Sequence, residues 1–72
     1  MTRDQALSAG YSWEIEVSHV PEGVKSEHYI ATGIRYYKSA WIAEDVCNDS
    51  RLHKSQNPDQ YDPEMTFTVK EL

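Results

Sequence analysis

The chain has 72 residues, and twelve acidic side chains against seven basic ones give a formal net charge of −5. That length carries one domain and buries only about 60% of the surface exposed by the unfolded chain. The negative balance argues against broad, charge-driven binding to nucleic acid, which needs a basic surface. Cys47 is the only cysteine, which excludes a disulfide within the monomer and suits a reducing compartment. The N-terminus is polar and lacks the apolar stretch of a secretory signal. No apolar run is long enough to span a membrane. The expectation is a cytoplasmic protein without membrane contact, whose acidity serves solubility first and is also compatible with a basic protein partner or with mimicry of a nucleic acid.

Residues 1–10 read as an N-terminal arm with one short helical turn. Thr2 is its cap, Ala6 and Leu7 favour helix, and Gly10 is its stop. Residues 11–72 read as a single α+β domain. From Tyr11 to His19, Tyr11, Trp13, Ile15, Val17 and His19 alternate with Ser12, Glu14, Glu16 and Ser18. A period of two marks a half-buried strand. Pro21 and Gly23 mark a turn. A second strand is expected from about Lys25 to Tyr37, with His28, Ile30, Thr32, Ile34 and Tyr36 on its more apolar face. Its other face carries Glu27, Tyr29, Ala31, Gly33, Arg35 and Tyr37. A four-residue loop, Pro21 to Val24, makes the apolar faces coincide. It pairs Val17 with His28, Ile15 with Ile30, Trp13 with Thr32 and Tyr11 with Ile34.

Ser39 is the expected N-cap of a helix from about Ala40 to Leu52. At helical spacing Ile42, Ala43, Val46, Cys47 and Ser50 share one face. Asn57, Pro58, Asp59, Asp62 and Pro63 mark a polar loop. The last strand runs from Glu64 to about Lys70. The order is strand, strand, helix, strand. A right-handed crossover sets the third strand antiparallel beside the first, giving sheet order 2-1-3. One helix on one face makes a two-layer α+β domain with the far sheet face open.

Three constellations bear on chemistry. In the expected register His19 and His28 are diagonal neighbours, with Cys47 on the helix above them. Those residue types suit zinc, but their spacing matches no zinc motif. Cys47 lies mid-helix on the apolar side, which raises a thiol pKa and argues against a nucleophile. Glu14, Glu16 and Glu27 sit on a flat, solvated sheet face, without the cleft that drives two carboxylate pKa values apart. Gly10, Gly23 and Gly33 are isolated, so no phosphate-cradling loop exists. No metal, no cofactor and no enzymatic activity are expected.

The informative oddity is the outer face of the helix, where Trp41, Asp45, Asn48 and Leu52 form a stripe opposite the core stripe. A tryptophan there is large and apolar at a position that should be polar, and tryptophan is enriched at binding hot spots. Trp41 is either an exposed anchor or is folded under the N-terminal arm or the 57–63 loop. Tyr29 and Tyr37 on the open sheet face offer a second partner surface. Arg35, Tyr37 and Lys38 are the basic–aromatic cluster of the alternative reading, a small nucleic-acid-binding domain.

These features predict a small non-catalytic protein-interaction module. It acts sterically on a larger protein, in the manner of a phage or mobile-element accessory protein or an inhibitor. A one-sided core with an open sheet edge can gain stability by homodimerisation, while Lys25, Glu27, Arg35 and Lys70 on the edge strands discourage indiscriminate pairing, so monomer and dimer both stay open.

Overall fold

Thr2 and Gln5 cap each other in the computed structural model, which describes residues 1–72. Gln5 N–H donates to Thr2 Oγ1 at 3.2 Å and Thr2 N–H to Gln5 Oε1 at 2.8 Å. This reciprocal box satisfies two orphan donors of a helix start. The helix it opens, α1 (Arg3–Ser8), ends at Gly10, whose φ is 88°. There Tyr11 N–H reaches Ala6 O at 3.0 Å and Gly10 N–H reaches Leu7 O at 3.1 Å, a Schellman closure that needs the left-handed residue.

The first strand, β1 (Trp13–Val17), follows the predicted alternation. Ile15 is fully buried, and Trp13 and Val17 pack beside it on the same face. The predicted turn also forms: Val24 N–H bonds Pro21 O at 3.1 Å, with Gly23 at φ 83°. It does not close a hairpin. His19 at φ 58° has already turned the chain off the line of β1. Residues Ser26–Tyr29 then form a 3-10 turn, and Gly33 at φ 71° closes another turn by bonding Ile30 O at 2.9 Å.

Of the long second strand expected over 25–37, only β2 (Tyr36–Tyr37) is strand. Trp13 stands opposite Tyr37 and Glu14 opposite Tyr36. The expected partner of Trp13 was Thr32, so the register is displaced by five positions. An odd displacement exchanges the faces. Tyr37, expected on the open face, is therefore a core residue at 7% exposure.

A closed ring of hydrogen bonds gives the physical reason. Tyr37 Oη donates its proton to Ile34 O at 2.6 Å, so Thr32 Oγ1 must be the donor in its 2.6 Å bond to Tyr37 Oη. Thr32 Oγ1 in turn accepts Ile34 N–H at 3.2 Å. Backbone groups that a ladder would have used are spent on this ring.

The main helix, α2 (Ala40–Gln56), begins where expected and runs one turn further than Leu52. Ser39 holds the N-cap position, but its hydroxyl makes no cap bond. Ala43, Val46, Cys47 and Ser50 are buried, whereas Ile42 lies at the boundary and is 38% exposed. The last strand, β3 (Phe67–Glu71), pairs antiparallel with β1, Ile15 opposite Val69 and Val17 opposite Phe67. The sheet order is β2-β1-β3. The protein is thus an α+β domain of strand order 2-1-3 with one main helix packed on the sheet, plus the short α1. Its core is Ile15, Ile30, Tyr37, Ala43, Val46, Cys47, Met65 and Phe67.

Candidate interaction surfaces

Every member of the stripe Trp41, Asp45, Asn48 and Leu52 is exposed, which settles the two outcomes open for Trp41. Trp41 is 66% exposed and Leu52 53%. Neither the N-terminal arm nor the 57–63 loop covers the indole. Helical rise separates the two residues by roughly 16 Å. They are two apolar points with a carboxylate and an amide between them.

The open sheet face is corrected in detail. Neither Tyr29 nor Tyr37 lies there. Tyr37 is in the core, and Tyr29 packs against the core beside Tyr61, with ring centroids 5.7 Å apart. Ion pairs occupy the far face instead. Arg35 Nε and Nη2 both approach Glu14 Oε2 at 3.1 Å, and Lys70 Nζ lies 3.0 Å from Glu16. Tyr36 is buried on this side, outside the eight-residue core, with the Arg35 guanidinium 5.6 Å from its ring centroid.

The basic–aromatic cluster is dispersed by the same geometry. Arg35 is paired with Glu14, Tyr37 is buried, and the Lys38 ammonium lies 5.4 Å from the centroid of the Tyr11 ring. The three residues do not present one basic face.

His19 and His28 are likewise apart from the arrangement expected of them, which required the hairpin register. His19 bonds Ser18 Oγ at 3.1 Å and lies 3.5 Å from Glu64. His28 stands edge-on to Tyr29. Cys47 is fully buried. Burial pushes its thiol above the ordinary value of 9.0; Arg51 opposes this and Glu44 adds to it. No three His, Cys, Asp or Glu side chains converge.

Two features were not legible in the sequence. One is an open cavity of about 500 Å³ on the far face, walled by Met1, Tyr11, Lys25, Glu27, Ile34 and Tyr36. Its walls come from three distant segments, so no local pattern announces it. The other is the outer edge of β3, where α2 supplies cations to backbone carbonyls. Arg51 Nη2 donates to Phe67 O, and Lys54 Nζ donates to Pro63 O at 2.8 Å and Met65 O at 2.9 Å. The spacing of Arg51 and Lys54, three apart on a helix, was the available signal.

Comparison of the chain with protein-family profiles, with curated proteins and with solved structures returns no match.

Proposed function

We propose that this protein is a non-catalytic interaction module that binds a larger protein through the outer face of α2. The observation that carries the reading is the 66% exposure of Trp41 in the first turn of α2. A buried tryptophan covers about 150–250 Å² of apolar surface, and water exposure forfeits that gain. Asp45 and Asn48 supply polar contacts beside it, and Leu52 a second apolar contact. The action is steric: occupancy of a site on a larger assembly, as a cytoplasmic accessory or inhibitor protein of a phage or mobile element would exert it.

The test is capture from a native lysate by the wild-type protein and by a Trp41→Ser/Leu52→Ser variant. Both substitutions are on exposed positions, so folding stability should change by no more than about 0.5 kcal/mol each. Stoichiometric capture that survives nuclease and moderate salt, and is lost in the variant, supports the reading. Undiminished capture by the variant overturns it. Capture abolished by nuclease would transfer the assignment to nucleic acid.

A further inference from the structure

The edge of β3 has a free backbone of defined length. Ser18 N–H bonds Thr66 O at 3.0 Å and Leu72 N–H bonds Ser12 O at 2.9 Å. These bonds turn the even-numbered residues of the strand toward β1. By antiparallel alternation, Phe67, Val69 and Glu71 direct their N–H and C=O groups outward. Lys54 occupies the Met65 carbonyl and Arg51 occupies one lone pair of the Phe67 carbonyl. Pairing that ran past Phe67 toward Met65 would have to displace these cations. The open stretch is therefore Phe67–Glu71, with Val69 at its centre.

We propose that a second copy of this chain occupies that edge. The two β3 strands pair antiparallel about a two-fold axis at Val69, and two three-stranded sheets become one. A closed two-fold is the commonest way for identical subunits to associate. In this register Val69 faces Val69 of the second copy, and Phe67 faces Glu71 of the second copy. The Val69 pair exchanges two hydrogen bonds. Phe67 N–H donates to Glu71 O across each half, with every cap still in place. The second lone pair of Phe67 O accepts Glu71 N–H. On the far face Thr68 stands opposite Lys70, so no like charges meet directly across the strands.

Charge complementarity on α2 selects the same occupant. α2 runs antiparallel to β3, with Lys54 beside Met65 and Arg51 beside Phe67. Glu44, Cys47, Asn48, Arg51 and Val69 line one small cavity. The segment around Asn48 thus lies nearest the axis at Val69. Two antiparallel copies of α2 then set Glu44 of one against Arg51 of the other, twice. Neither side chain forms an ion pair within its own chain. The other sheet edge, β2, is only two residues long and offers no comparable ladder.

The experiment is sedimentation equilibrium of the wild type, of E44R, of R51E and of an equimolar mixture of the two variants. Circular dichroism checks that each is folded. The wild type should dimerise with concentration. E44R sets positive against positive and R51E negative against negative, so each alone should weaken the dimer by about tenfold or more. In the mixture both contacts are complementary, and a one-to-one heterodimer should return.

A wild type that stays monomeric overturns the proposal. So do variants that dimerise as tightly as the wild type, and a mixture no tighter than its components. If R51E fails to fold, E44R on its exposed site still decides: undiminished dimerisation overturns the β3 interface. Trp41→Ser should leave this dimer intact, so failure of the partner-binding reading and failure of this one are separable.

Discussion

Ser50 of α2 holds the loop that precedes β2: its Oγ accepts Ala31 N–H at 2.9 Å and donates to Val46 O at 2.8 Å. A fully buried hydroxyl on the apolar stripe of the helix is tolerable because both of its roles are filled. The bond joins residues nineteen positions apart and sets where the irregular segment meets the helix. Ser50→Ala leaves Ala31 N–H without its partner. Because that bond is only part-buried, water can recover some of it, and the expected loss is about 1 kcal/mol in chemical denaturation. Amide exchange at Ala31 should accelerate relative to Ile15. Unchanged exchange at Ala31 would mean that Ile30 packing alone holds the loop.

The ring through Thr32, Ile34 and Tyr37 should behave as one unit. Tyr37→Phe removes the proton given to Ile34 O and the acceptor used by Thr32. The expected cost is about 1–2 kcal/mol. Thr32→Val should cost a comparable amount, and the double variant clearly less than the sum, since both substitutions break the same ring. Denaturation of the four proteins gives the coupling directly. Strict additivity would show that the three groups act independently.

That ring also explains which parts of the fold were legible. β1, α2 and β3 bury side chains at regular spacing against one core, so their periodicity in the sequence is their burial in the structure. Sheet order 2-1-3 followed from the handedness of the crossover through α2. The segment 25–37 carries a strand-like alternation, yet it is held by side-chain-to-backbone bonds of Thr32, Tyr37 and Ser50. Periodicity places these side chains on a face but does not show which backbone groups their hydroxyls bond. Of the candidate interaction residues, the exposure of the α2 stripe was legible because helical spacing alone places Trp41, Asp45, Asn48 and Leu52 away from the core. Tyr37 was misplaced because its face depended on a register, which an odd displacement reverses, and Tyr29 because its segment folds as a 3-10 turn and not as strand. The carbonyl caps by Arg51 and Lys54 needed the tertiary approach of α2 to β3; the spacing of the two cations sets them on one side of the helix but does not name the carbonyls they reach.

Alkaline pH should loosen this core in two identifiable stages. Burial pushes the Cys47 thiol above 9.0 and the Tyr37 phenol above 10.0, and the Thr32 hydrogen bond only partly offsets the second. In the unfolded chain both groups ionise at their ordinary values. Between each ordinary value and the raised native one, the folded state binds more protons than the unfolded state. Stability then falls as pH rises. Full stability from these groups is present below 9.0 and is lost progressively above it, first through Cys47 and then through Tyr37. Denaturation across this range should show a decline whose onset moves upward in Cys47→Ala, while Tyr37→Phe should flatten the later part. The same burial predicts that a thiol reagent reacts with the native protein no faster than the core opens. Rapid stoichiometric labelling of Cys47 at neutral pH, without unfolding, would place the thiol at the surface and contradict both parts of this account.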